Sequence, residues 1–81
     1  MKYVYILRSV TASDYFYTGI TDDLDARFRL SKHNSGDVAH TSGNRPWRIK
    51  TYVAVTDEDR APAFEKYLKS GSGRAFAKTR L

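Results

Sequence analysis

Tyr3-Val4-Tyr5-Ile6-Leu7 and Tyr15-Phe16-Tyr17-Thr18-Gly19-Ile20 are the two stretches on which the fold turns. In the first, Tyr3, Tyr5 and Leu7 face one way and Val4 and Ile6 the other. Both faces are apolar, which predicts a central strand covered on both sides. In the second, Tyr15, Tyr17 and Gly19 share a face. The polar Thr11-Ala12-Ser13-Asp14 between them suits a turn, so the pair reads as an antiparallel hairpin. Such a hairpin brings Tyr5 and Tyr17 close together on one face.

Downstream, Thr21 is a candidate N-cap, with Asp22 and Asp23 at the positive end of a helix. Leu24 and Phe28 supply its buried stripe, and Arg27 lies at the stripe's edge. That helix is expected to fade by His33-Asn34-Ser35-Gly36, and Asp37 to Pro46 reads as a mobile polar loop. Trp47 to Val55 alternates again, with Trp47, Ile49, Thr51, Val53 and Val55 on one face and Arg48, Lys50 and Tyr52 on the other. A second helix is expected from Asp59, with Phe64 and Leu68 as its apolar pair. Pro62 is awkward there, since proline is tolerated only in a helix's first turn. Ser70-Gly71-Ser72-Gly73 then breaks the chain before a short basic helix from Arg74 to Leu81, anchored by Ala75, Phe76 and Leu81. The order β-β-α-β-α-α predicts an α+β domain, a three-stranded antiparallel sheet flanked by helices. Residues 1–81 are expected to form one domain.

The chain has a formal net charge of +5 and no cysteine. Disulfides and thiolate metal sites are therefore excluded, and a reducing, cytoplasmic setting is expected. Two histidines and no cysteine also argue against a structural zinc. Met1-Lys2 runs straight into a strand-like segment, so no signal peptide is expected. No apolar run approaches the ~20 residues of a membrane span. Most acids fall in Asp22-Asp23-Asp25 and Asp57-Glu58-Asp59, whereas the tail from Lys66 to Leu81 has bases and no acid. A basic surface of this kind favours a polyanion.

These residues, in this order, resemble the GIY-YIG nuclease superfamily from Tyr3 to Leu81. The first half-motif is Tyr3-Val4-Tyr5, with Tyr3 in place of the family's glycine, and the second is Tyr17-Thr18-Gly19. Arg27 stands ten residues after Tyr17 in an Asp-Leu-x-x-Arg context, like the family's catalytic arginine. Glu65 falls on a later helix, like its metal-binding glutamate. More narrowly, the chain is similar to small stand-alone bacterial members, relatives of the excision-repair nuclease domain. The shared segments are His33-Asn34-Ser35-Gly36, His40-Thr41, Arg45-Pro46-Trp47 and the tail from Lys69 to Phe76. In the family the arginine and the following histidine or tyrosine sit one helical turn apart. Here Arg27 and His33 are six residues apart and Arg29 and His33 four, which reads as a two-residue insertion. Arg27 is preferred for its distance from Tyr17 and its context; Arg29 is the runner-up.

The resemblance implies a metal-dependent DNA endonuclease acting in repair or processing, with Tyr5, Tyr17, Arg27, His33 and Glu65 as catalytic residues. Glu65 would hold a single divalent ion, Mg2+ or Mn2+; magnesium commonly uses one or two carboxylates and keeps several waters. Arginine's planar fork matches a phosphate. Tyr17, then Tyr5, is the candidate to orient or deprotonate the water. Each residue also has an ordinary structural explanation: Glu65 pairs with Lys69 at i+4, Arg27 with Asp23, and strand tyrosines pack in cores. His33 has one too, as a cation at a helix C-terminus. Nucleic-acid contacts are expected from Arg29, His40, Arg45, Arg48, Lys50, Arg74 and Lys78, mostly to phosphates and hence salt-dependent. So small a domain offers little surface for base readout. Weak sequence preference is expected, with selection by a nick, flap or junction, or recruitment by a partner protein. A monomer or weak dimer with no membrane attachment is expected. The alternatives are a catalytically silent nucleic-acid-binding module of the same fold and a protein-interaction domain whose basic face meets an acidic partner.

Overall fold

The computed structural model describes residues 1–22, 26–36, 38 and 41–81, with residues 26–29 by their backbone only. Its elements are β1 (Lys2–Ser9), β2 (Phe16–Thr21), α1 (Ala26–Asn34), a 3-10 turn (Ser42–Asn44), β3 (Trp47–Val55), α2 (Ala61–Lys69) and α3 (Gly71–Arg80). The sheet is antiparallel in the order β2-β1-β3. The α+β class and the β-β-α-β-α-α order are those expected from the alternation.

The double apolar face of β1 has the predicted consequence. Val4 and Ile6 join Ala61 and Leu68 under α2, with Ile20, Val55, Phe64, Ala77 and Leu81 packed around them. Tyr5 and Leu7 join Trp47 on the opposite face, with Tyr17, Leu30, Ile49 and Tyr52 around them. The central strand thus feeds two cores, one closed by α1 and the other by α2 and α3. Each fully buried aliphatic side chain stabilises by about 1.5–3 kcal/mol.

β3 departs from the expected alternation. Leu7 pairs with Ile49 but Ile6 pairs with Thr51, so Lys50 is an extra residue at a bulge. A bulge sets two residues against one and reverses the face of everything beyond it. Trp47 and Ile49 therefore share the α1 face with Tyr52 rather than with Thr51, Val53 and Val55. Lys50 and Thr51 both reach α3: Lys50 Nζ donates to the Ala77 carbonyl at 3.2 Å and Thr51 Oγ1 to the Leu81 carbonyl at 3.4 Å. Period-two patterning cannot show a bulge, because either phase leaves an apolar residue at most positions.

The helix boundaries also shift. Thr21 ends β2 opposite Tyr3 and is no cap of the described helix. Asp22 pairs with Lys2 at 2.6 Å, and that hydrogen bond holds the Lys2 ammonium's pKa above its ordinary value. Asp23, Leu24 and the Phe28 side chain lie outside the described residues. α2 begins at Ala61 instead of Asp59, which puts Pro62 in its first turn, where a missing N–H is harmless. α3 begins at Gly71, so the Ser70–Gly73 break shrinks to one residue. Ser70 ends α2 and caps α3, its hydroxyl accepting from the Gly73 amide at 3.1 Å. That phase makes Gly73, Ala77 and Leu81 the inward stripe and leaves Ala75 exposed and Phe76 37% exposed.

Gly73 is held by close approach. A side-chain carbon there would overlap the Tyr67 carbonyl group, which belongs to the backbone and cannot swing aside. Gly73→Ala is expected to force α2 and α3 apart and lower the unfolding free energy by about 2 kcal/mol or more. Chemical denaturation checks this, and an unchanged midpoint would show that the crossing has slack.

Candidate active site

The site starts from a missing side chain. Gly19 lies opposite Tyr5 across the β1–β2 ladder. The hydroxyl end of the Tyr5 ring fills the space that a side chain at position 19 would need. This close approach lets the ring lie along the sheet, stacked on Tyr52 with centroids 6.1 Å apart. Its hydroxyl then meets His33 Nε2 at 2.9 Å. Tyr17 completes the group, its ring centroid 6.3 Å from that of Tyr5 and 4.8 Å from that of His33.

His33 comes from the last turn of α1 and is fully buried, as is Tyr5. The six-residue spacing from Arg27 does not carry it away from the tyrosines. Nor is it an exposed cation completing the helix dipole. Its Nδ1 lies 2.9 Å from the Thr41 hydroxyl, which donates onward to the Val38 carbonyl at 3.2 Å. A hydroxyl has one proton, so Thr41 accepts from His33, and Nδ1 carries the imidazole's hydrogen. In a neutral imidazole Nε2 then carries the lone pair, and Tyr5 donates to it. The bonds all run one way, from Tyr5 through His33 and Thr41 to Val38.

Thr41 is the residue that sequence reasoning passed over. It was visible only as half of His40-Thr41, yet it is fully buried. The Trp47 indole donates to its carbonyl at 2.8 Å. Asn34 clamps the backbone of Trp47 in turn, accepting from its amide at 2.6 Å and donating to its carbonyl at 3.1 Å. An asparagine side chain carries the same donor and acceptor as a peptide, and here it serves as one more strand partner. The adjacent signals Asn34 and Trp47 were legible; their joint purpose was not.

Glu65 stands in the other layer. It lies on α2 within the stripe of Ala61, Phe64 and Leu68, its side chain 20% exposed, and it pairs with Lys69 at 3.2 Å. The i+4 pairing expected of a structural glutamate is therefore present. A single hard carboxylate among apolar neighbours fits a water-rich divalent ion and does not fit zinc. Among the described residues no group of three or more potential ligands gathers. The side chains of Arg27 and Arg29, and all of His40, lie outside the described residues.

The expected phosphate contacts divide between two places. Lys50, Arg74 and Lys78 line one groove with Arg8 and Lys69, and Arg48 lines an adjoining hollow with Arg8 and Lys50. Arg45 lies elsewhere, its Nε donating to the Ser42 carbonyl at 2.8 Å.

Tyr5, Tyr17 and His33 thus meet over Gly19 on one face of the sheet, while Glu65 lies on α2 on the other. The model of the GIY-YIG catalytic domain matches residues 1–79. The chain belongs to the GIY-YIG family, a family of endonucleases. No curated protein and no solved structure matches it.

Gly19→Ala is expected to displace the Tyr5 ring and break its bond to His33. Two-bond nitrogen–proton NMR of the imidazole reads this directly. The parent should show the Nδ1–H tautomer and Gly19→Ala a mixture. Thr41→Val is expected to leave the buried Nδ1–H without an acceptor and destabilise by about 1–3 kcal/mol.

Proposed function

We propose that the chain is a divalent-metal-dependent DNA endonuclease with Tyr17 at the point of attack. The observation that carries this is the convergence of Tyr5, Tyr17 and His33 over Gly19 in a chain matched almost end to end by a nuclease family. Tyr5 is closed off from solvent and hydrogen-bonded to His33, so it positions rather than attacks. Tyr17 is only partly covered, so it is the tyrosine of the pair that solvent and substrate can reach.

In this reading Tyr17 acts as a phenolate, which needs a phenol's ordinary pKa of ~10 lowered by the charge of Arg27 or of a bound ion. It orients the water and accepts its proton as the new P–O bond forms. The ester P–O bond breaks in line, and the leaving oxygen takes a proton from solvent. Arg27 neutralises the charge that builds on the phosphate oxygens. His33 and Thr41 hold Tyr5, and Tyr5 holds the wall against which Tyr17 stands. Glu65 is the residue that would hold Mg2+ or Mn2+; such an ion supplies Lewis-acid charge relief when bound. Lys69, now its partner, would have to release it. The protein acts as a single cytoplasmic domain, monomer or weak dimer, on nicked, flapped or branched DNA in repair or processing. A partner protein supplies whatever targeting is needed.

The Glu65–Lys69 pair also favours one other reading. A glutamate already neutralised by a lysine suits a silent binding module that kept the fold. Labelled duplex, nicked, flap and branched DNA, incubated with Mg2+ or Mn2+, separates the two. Parent protein is expected to cleave. Tyr17→Phe, Arg27→Ala and Glu65→Ala are each expected to lose about a hundredfold or more in rate, and chelation to abolish cleavage. Equal cleavage by the variants would sink the residue assignment. Salt-sensitive binding with no cleavage of any substrate would establish the silent module.

A further inference from the structure

A broad open groove lies on the α2–α3 side of the sheet, along edge strand β2. Arg8, Lys50, Lys69, Arg74 and Lys78 line it, against one acid, Asp14. Arg74 and Lys78 are four apart on α3, so they stand on one face of that helix. Two aromatic residues also line it, Tyr15 at 58% exposed and Phe16 at 50%. The Phe16 ring is held ready: Arg8, its cross-strand neighbour, lies 5.9 Å from the ring centroid, and its Nε is fixed by the Ser13 carbonyl at 3.1 Å. One side of the ring is backed by a guanidinium and half of its surface is open.

We propose that this groove binds an unpaired stretch of polynucleotide, with a base stacked on Phe16 and the backbone running past Arg74 and Lys78. The physical case is the combination. Phosphates need the cations. Exposed aromatic rings at the floor of a cationic groove suit bases that are not already stacked on one another. A duplex presents its phosphates outward with its base faces enclosed, and it leaves Phe16 and Tyr15 unused. An acidic peptide would use the cations but does not carry a planar ring at every unit of its backbone, as a polynucleotide does. Tyr17 also borders this groove on β2, its ring on the opposite face of the strand from Phe16, so a polynucleotide bound here runs along the element that carries the proposed point of attack. The proposal rests on the nuclease reading for its purpose but not for its test, which measures binding.

The experiment is fluorescence anisotropy with a labelled twelve-nucleotide oligothymidine and with a duplex of equal length, without metal. Phe16→Ala and the double variant Arg74→Ala/Lys78→Ala change exposed residues, and circular dichroism checks their folding. Phe16→Ala is expected to weaken single-strand binding about five- to hundredfold and leave duplex binding unchanged. The double variant is expected to lower the slope of log affinity against log salt by about 1.4 on the single strand. Unchanged single-strand affinity in Phe16→Ala, or equal losses on both ligands, would overturn the groove. Phe16-dependent single-strand binding without any cleavage would uphold the groove and defeat only the nuclease reading.

Discussion

The contact between the Tyr5 ring and Gly19 is the constraint on which the site depends. Two neighbouring strands can place a tyrosine opposite a glycine anywhere. Here the absent side chain is the space into which the ring folds. With the ring laid along the sheet, its hydroxyl arrives at His33 and its face at Tyr52. With any larger residue at position 19 the ring would stand away from the sheet, and α1 would lose the acceptor–donor pair that fixes its last turn. The helix, the loop through Thr41 and the start of β3 follow from there. His33 bonds Thr41, Trp47 bonds Thr41, and Asn34 bonds Trp47. A buried polar chain of this kind is stable only when every member is satisfied. Each of these bonds therefore makes the next obligatory.

The sheet keeps its two faces chemically separate. On the α1 face the tyrosines, the histidine and the tryptophan make an aromatic and hydrogen-bonded core. On the other face the aliphatic core under α2 and α3 runs out into a cationic groove. The bulge at Lys50 helps to make this division. It restores Tyr52 to the aromatic face and turns both Lys50 and Thr51 toward α3. Edge strand β2 borders both sides, and Tyr17 belongs to the aromatic core while lining the groove.

Burial assigns different work to similar residues. Tyr5 and Tyr17 are indistinguishable by type and sit on the same face of one hairpin. One is closed in and hydrogen-bonded to a histidine; the other is partly open. Lys50 and Arg74 are both basic, yet Lys50 ties α3 to β3 through the Ala77 carbonyl while Arg74 is exposed.

The sequence by itself determined the element order, the central position of β1 and the meeting of Tyr5 with Tyr17. These depend on period-two and period-four patterns, which follow directly from backbone geometry. The apolar pair Phe64 and Leu68 was legible for the same reason. Tertiary structure alone decided which residues cap, clamp and switch faces. The bulge at Lys50 is a choice between two registers of nearly equal local merit, made by Trp47 and Tyr52 fitting the aromatic core. The inward stripe of α3 depends on where that helix starts, and that is set by the contact of Gly73 with the Tyr67 carbonyl. Thr41 matters because three buried groups meet there from distant parts of the chain. No local pattern marks such a meeting, since its free energy exists only once the other partners are in place.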